Sequence, residues 1–277
     1  MNSLAVIDEI CVGNKLANRS KLLQFEEFAK TQPQIDIPVK HYIHGGMYVR
    51  EITIPKDTIL TGQIYKFDHF DIMISGDITV STDTGERKRF TGYNCFQGLS
   101  GKKRAGYAHE DTTWITVHPF TGASGDEIQE FVTAETFEDL DKFNALVNVA
   151  DYKLMVGDMS ISESDIKEQV ENKLDMVDMP DDYNNVFIGD SGINRKGLFS
   201  STKIQKEIVI CPARIKDKRT IGGRYTNHAL HPNAEMKIEG DSVFLYSLAD
   251  INIGEEITVN YRDVLTMRNS KGDLCQE

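Results

Sequence analysis

The stretch GRYTNHALHPNAEM, residues 223 to 236, constrains this chain more than any other. It joins Asn227 and His228 to Pro232 and Asn233, and a strand-like run then leads to GEEITVNY, which ends at Tyr261. Asn and Pro are turn formers, and Asn side chains bond nearby backbone, so each piece alone reads as a loop. Upstream, FIGDSGINRKGLFSSTKIQKEIVI sets a turn carrying Lys196, Gly197 and Leu198 between two short β-rich runs. Three such segments in order between residues 188 and 261 give one another the structural context that each lacks alone. The fold has to bring a turn, an amide-bearing loop and a strand-end tyrosine together in one small β domain.

In order and spacing these segments resemble the SET-domain methyltransferases. That family's core signature is commonly Asn-His-Ser-Cys-x-Pro-Asn followed by Gly-Glu-Glu-Leu-Thr-x-x-Tyr. The resemblance implies S-adenosylmethionine as cofactor and a protein lysine as substrate. It places Asn227 and His228, preceded by Arg224 and Tyr225, at the adenine end. The turn at Lys196, Gly197 and Leu198 would meet the methionine part, and Tyr261 would stand where the methyl passes to the amine. The chain departs from the pattern at Arg195, where the family usually has its first Gly, and at Ala229 and Leu230, which replace Ser-Cys. The insert that builds much of the lysine channel is reduced to PARIKDKRTIGG. The family's cysteine-rich tail is absent, so Leu265 and Met267 are the candidates for any lid.

The first half reads as short strands rich in Ile, Val, Thr and Tyr: YVREITIP, TILTGQIYKF, DIMISGDITVST and TTWITVHPF. With Gly62, His69, Gly76 and Gly92 in place, the run from Leu60 to Phe96 resembles a cupin, a small double-sheet β-barrel. Many cupins hold a metal through His and Glu side chains. Here Tyr65 and Phe67 stand where paired His are expected, and Lys103 and Arg104 where a later ligand is sought, so no metal is expected. His41, His44, His69, His109 and His118 read as isolated strand histidines, and Trp114 as a sheet-packing residue. The basic runs 87–89 and 102–104 read as solvated strand ends or turns.

The expected fold class is mainly β, α+β overall: a cupin-like double-sheet barrel, then a SET-like β-fold, joined by a helical linker. The boundaries are 1–35 for an N-terminal helical arm, 36–145 for the barrel, 146–183 for the linker and 184–277 for the SET-like domain. In the arm, Leu22, Leu23, Phe25 and Phe28 make one apolar face; Phe137, Leu140, Phe143 and Leu146 suggest a short helix after the barrel. In the linker, Ser162 or Ser164 caps a helix whose buried stripe is Ile166, Val170 and Leu174. With 43 acidic against 31 basic residues the net charge is −12, which argues against a nucleic-acid surface. Cys11, Cys95, Cys211 and Cys275 show neither disulfide nor zinc spacing. No apolar run is long enough for a membrane helix, and a cytoplasmic protein is expected, in the host cytoplasm if viral. Cupin-plus-SET pairings resemble proteins of tailed bacterial viruses. The leading function is lysine N-methylation, with a homo-oligomer formed through the cupin-like half; the competing one is a non-catalytic viral binding or assembly protein that uses both barrels for oligomerisation and docking.

Overall fold

The computed structural model describes residues 15–82, 86–120, 128–160, 162, 164, 165, 168 and 171–269. Its contacts divide into two compact units, Met1–Phe143 and Asn144–Glu277, and both are mostly sheet.

The first unit opens with α1 (Lys15–Lys30), followed by β1 (Val39–His44), β2 (Met47–Ile54), β3 (Ile59–Thr61), β4 (Ile64–Tyr65), β5 (His69–Ser81), β6 (Arg87–Thr91), β7 (Asn94–Gly98) and β8 (Ala105–Pro119). Then come α2 (Ile128–Val132), β9 (Thr133–Ala134), which pairs with β4, and the start of α3 (Phe137–Asp158). The main sheet runs β1-β2-β8-β5-β6, with β3 also on β8 and β7 also on β5. Strands β5 and β8, of 13 and 15 residues, are far longer than an ordinary strand. They pair along their length and turn a corner together, with register shifts between Met73 and Ile78. One arm of the corner carries β2 and β7 and the other carries β3 and β6. The sheet folds over a core of Ile52, Ile54, Met73, Ile78, Val80, Phe90 and Ala108.

Gly76 makes the corner possible. Its φ is +112°, and a Cβ there would lie 2.4 Å from Thr112 Oγ1 and 2.6 Å from the Asp111 carbonyl oxygen. Gly76→Ala is therefore expected to lower stability by about 2–4 kcal/mol, from backbone strain and overpacking together. Urea unfolding of the full chain checks this; an unchanged midpoint would mean that Gly76 does not hold the corner.

Several expectations are corrected. Among the described residues the sheet does not close into a barrel: β1 and β6 end the strand order, and every β1 residue after Val39 is exposed, so β1 has no buried face to pack across the gap. On α1, Leu22 is buried and packs with Phe25 and Ala105, but Leu23 and Phe28 face outward. The run 102–104 is not simply solvated, because Lys103 Nζ pairs with Glu26 at 2.8 Å and Arg104 Nη1 with Asp71 at 2.9 Å. The run 87–89 lies on β6 and is exposed, but it too has partners: Arg89 Nε donates to Asp77 at 2.8 Å, and Lys88 Nζ lies 5.0 Å over the Phe90 ring.

The second unit begins within α3, a helix of 22 residues on which Leu140 is buried but Leu146 is 71% exposed. Ser162 Oγ accepts the N–H groups of Ser164 and Asp165, as a cap should. Ile166 and Val170 lie outside the described residues. Leu174 is 94% exposed, because Asn172 Oδ1 takes its N–H at 2.9 Å in a turn that ends the helix and the stripe with it. The strands are β10 (Val186–Asp190), β11 (Lys196–Ser200), β12 (Val209–Ile215), β13 (Lys218–Arg219), β14 (Asn227–His228), β15 (Ala234–Glu239), β16 (Ser242–Ser247) and β17 (Glu256–Val259). A short α4 (Ile221–Tyr225) precedes β14, and α5 (Tyr261–Asn269) follows β17. They form two four-stranded sheets, β10-β11-β17-β14 and β13-β12-β16-β15. Between them lies an aliphatic core that includes Leu198, Ile210, Ala213, Leu245, Ile257 and Val259. Strand β14 joins β17 in parallel, with Asn227 opposite Thr258 and His228 opposite Val259. This register sets the Asn-His segment beside the strand that ends at the tyrosine. No described helix is long and apolar enough to cross a membrane.

Candidate functional site

The turn between β10 and β11 is built by its own serine. Ser191 Oγ accepts the N–H groups of Ile193 at 2.9 Å and Asn194 at 3.3 Å, and its hydroxyl donates to the Glu256 carboxylate at 2.8 Å. The Asn227 amide closes the arrangement. Its Nδ2 lies 2.8 Å from Glu256 Oε1, 3.0 Å from Ser191 Oγ, 3.1 Å from the Lys196 carbonyl and 3.3 Å from that of Asn194. All four neighbours accept, so the amide orientation is fixed with its N–H groups toward the turn. A Cβ at Gly197 would lie 2.3 Å from Glu256 Oε1, so only glycine lets β11 pass this close to the carboxylate. Asn233 adds a second strut, donating to the Glu256 carbonyl at 2.8 Å and accepting from the Thr258 N–H at 2.9 Å.

His228 ties the same segment to α3. Its Nδ1 accepts the Tyr261 N–H at 3.2 Å, which puts the ring proton on Nε2, and Nε2 donates to Asp151 Oδ2 at 2.9 Å. Arg262 Nη2 holds the other oxygen of Asp151 at 3.1 Å, and Asn148 Oδ1 takes the Leu230 N–H at 3.1 Å. Burial pushes the His228 imidazole below its usual pKa, and the Asp151 carboxylate only partly offsets this. For Asp151, burial pushes the carboxyl up, but hydrogen bonds from Arg262 and His228 outweigh it and leave the group below the usual range.

Both folded-state pKa values are depressed, so the unfolded chain binds more protons as pH falls, and stability declines with acid. The contribution of His228 is complete above about pH 6.5 and fades below it; that of Asp151 fades as pH drops further, through the carboxylate range. Thermal unfolding between pH 8 and pH 4 should show this slope, and Asp151→Asn should steepen it between about pH 7 and pH 5, because His228 then loses the carboxylate that offsets its burial. An unchanged slope in that variant would mean that Asp151 does not act on the His228 imidazole.

Tyr261 begins α5 and packs at the edge of the core, with its ring 5.3 Å from that of His228 and 6.3 Å from that of Tyr152. Its hydroxyl donates to the Thr226 carbonyl at 2.9 Å, and burial pushes its pKa up, so the phenol is protonated. The structure thus brings Gly197, the Lys196 backbone, Asn227, His228 and Tyr261 to one junction. Others lie apart. The Lys196 side chain pairs with Asp190 and is half exposed, and Leu198 is wholly buried in the core. Tyr225 packs on that core, while Arg224 donates to the Asn172 carbonyl at 2.7 Å. Leu265 is half-buried on α5; the Met267 side chain lies outside the described residues.

In the first unit His41 bonds Tyr48 and His109 bonds Thr79, and only His69 and His118 come together, stacked at 4.6 Å. Among the described residues no three metal-ligating side chains converge. Sequence reasoning missed Asp151, Asn148 and Arg262, which carry no local spacing signal. It quoted Glu256 and Asn233 within the motifs without assigning them a role.

The SET domain family model matches residues 53–262. No curated protein matches the chain. Among solved structures, a histone methyltransferase candidate from Plasmodium falciparum is similar at 24% identity and a TM-score of 0.24, over 28% of this chain and 92% of that one. A cupin superfamily protein from Desulfitobacterium hafniense is similar at 6% identity and a TM-score of 0.28, over 32% and 83%. KdgF from Halomonas sp. is similar at 17% identity and a TM-score of 0.28, over 34% and 87%.

Proposed function

Because the chain belongs to the SET domain family, we propose that it is an S-adenosylmethionine-dependent protein lysine N-methyltransferase whose first unit is an accessory cupin-like module. The observation that carries the reading is the junction at Glu256, where the 191–195 turn, Asn227 and the strand leading to Tyr261 meet. The donor set suits the cofactor. The turn is open at Gly192, where an added Cβ would meet nothing within 4 Å, and it bears Arg195, whose charge matches an amino-acid carboxylate; Lys196, which follows it, is paired with Asp190. When bound, S-adenosylmethionine supplies a methyl group already activated on a sulfonium.

The chain's own residues do the rest. Asn227 and Glu256 act as positioning residues, since the Asn227 amide protons are engaged inside the protein and hold the turn in shape. His228, neutral and anchored on Asp151, fixes the backbone N–H of Tyr261. The Tyr261 hydroxyl is the group that orients the lysine amine, and apolar surroundings favour the amine's neutral, nucleophilic form. Calorimetry with S-adenosylmethionine tests the reading directly: saturable binding supports it, and no binding by folded protein overturns it.

The first unit is also the part expected to self-associate. Strand β1 presents an edge that is unpaired among the described residues, with Tyr42 and Ile43 exposed, and such edges favour pairing with another chain. Light scattering should show a dimer or larger species that Ile43→Lys weakens; a monomer at high concentration would exclude this.

A further inference from the structure

The folded-over sheet of the first unit holds a partly open cavity of about 130 Å³, a volume of the order that holds a benzene-sized body. Its apolar lining includes Ile52, Ile54, Ile78 and Trp114, and its charged lining is Arg50, Lys102 and Arg104 with a single carboxylate, Asp71. An excess of positive charge in a cavity of so acidic a protein is informative, because it opposes the overall balance of the chain.

The cations differ in what they do. Arg104 Nη1 bonds Asp71 Oδ2 at 2.9 Å, and Trp114 Nε1 donates to Asp71 Oδ1 at 2.9 Å, so that carboxylate is neutralised in place. Arg50, half-buried on β2, makes no ion pair among the described residues; its partner is the neutral hydroxyl of Tyr65, which also lines the cavity. A guanidinium with only a neutral partner beside apolar walls suits a ligand carboxylate, which it can take with two parallel hydrogen bonds. Behind Tyr65 and His69 lies His118, wholly buried, its ring 4.5 Å and 4.6 Å from theirs. Neither of its nitrogens has a hydrogen-bond partner among the described residues. Burial pushes its pKa down to about 3, so it stays neutral.

We propose that this cavity binds a small monocarboxylate, its apolar body between Ile52, Ile78 and Trp114 and its carboxylate on Arg50. The proposal does not depend on the methyltransferase reading, which concerns the other unit. Trp114 is the chain's only tryptophan, so the tryptophan emission comes from a residue that lines this cavity. The probes are hexanoate and its neutral counterpart hexan-1-ol, titrated into the full-length protein. Hexanoate is expected to give a saturable change in emission, with hexan-1-ol at least tenfold weaker. Arg50→Gln should raise the apparent Kd for hexanoate at least tenfold, and Arg50→Lys should recover part of the loss. Ile78→Phe, which fills the cavity and leaves Arg50 in place, should abolish the signal; far-UV circular dichroism and thermal unfolding identify the variants that fold. Equal binding of alcohol and carboxylate, an unchanged Kd in folded Arg50→Gln, or no saturable response in wild type would each overturn the proposal.

Discussion

Replacing Tyr261 by phenylalanine is expected to leave S-adenosylmethionine affinity within a few-fold of wild type while lowering methyl transfer by about one to three orders of magnitude. The ring contacts survive, since the packing against His228 and Tyr152 involves the ring and not the hydroxyl. The backbone N–H that His228 Nδ1 accepts is also untouched. What goes is one oriented hydroxyl, together with its bond to the Thr226 carbonyl. Losing that bond costs about 1 kcal/mol of stability, so the assay belongs well below the unfolding temperature. Label transfer from methyl-labelled cofactor to lysate proteins, with calorimetry alongside, separates binding from turnover. A wild type that binds cofactor but labels nothing, with Tyr261→Phe indistinguishable from it, would leave the assembly-protein reading in place of the enzyme.

The parts of the fold that were legible in the sequence are those whose signal is carried by neighbouring residues. Enrichment in Ile, Val, Thr and Tyr identified β2, β5 and β8, while Gly76 entered only as a position of the cupin resemblance, and its role at the corner was not read. The three motifs were legible because the fold joins them by register, with Asn227 opposite Thr258 and Leu198 opposite Ile257. The rest depends on partners distant along the chain. Lys103 and Arg104 read as a solvated run only while Glu26 and Asp71 are out of view. Arg262 and Asp151 lie 111 residues apart, and no local period announces that they meet. Barrel closure was overread for a related reason: VKHYIH is a good strand sequence, but closure depends on what its outer edge meets, and β1 is left exposed.

Asn227 separates a residue that reads the cofactor from one that holds the turn. Asn227→Ala deletes the donors to the Lys196 carbonyl, Ser191 and Glu256, and leaving such acceptors unpaired costs about 1–3 kcal/mol. Asn227→Asp should cost more at pH 7, despite being nearly isosteric. The Asn227 nitrogen lies 2.8 Å from Glu256 Oε1, so the substitution sets two carboxylates where both cannot ionise, and faces one of them with the carbonyl oxygens of Asn194 and Lys196. A loss of about 3 kcal/mol or more is expected. The pair can be relieved by sharing one proton, so the deficit of the Asp variant relative to wild type should shrink as pH falls from 7 toward 5. The Ala variant has no such pair to protonate, and its deficit should stay level. Urea unfolding at several pH values, each variant compared with wild type at the same pH, reads this directly, because the acid loss from His228 and Asp151 is then common to both. Equal stability of wild type and Asn227→Asp at pH 7 would mean that the amide does not face Glu256. An Asn227→Ala protein of undiminished stability that nonetheless loses S-adenosylmethionine binding would move Asn227 from the strut to the cofactor itself.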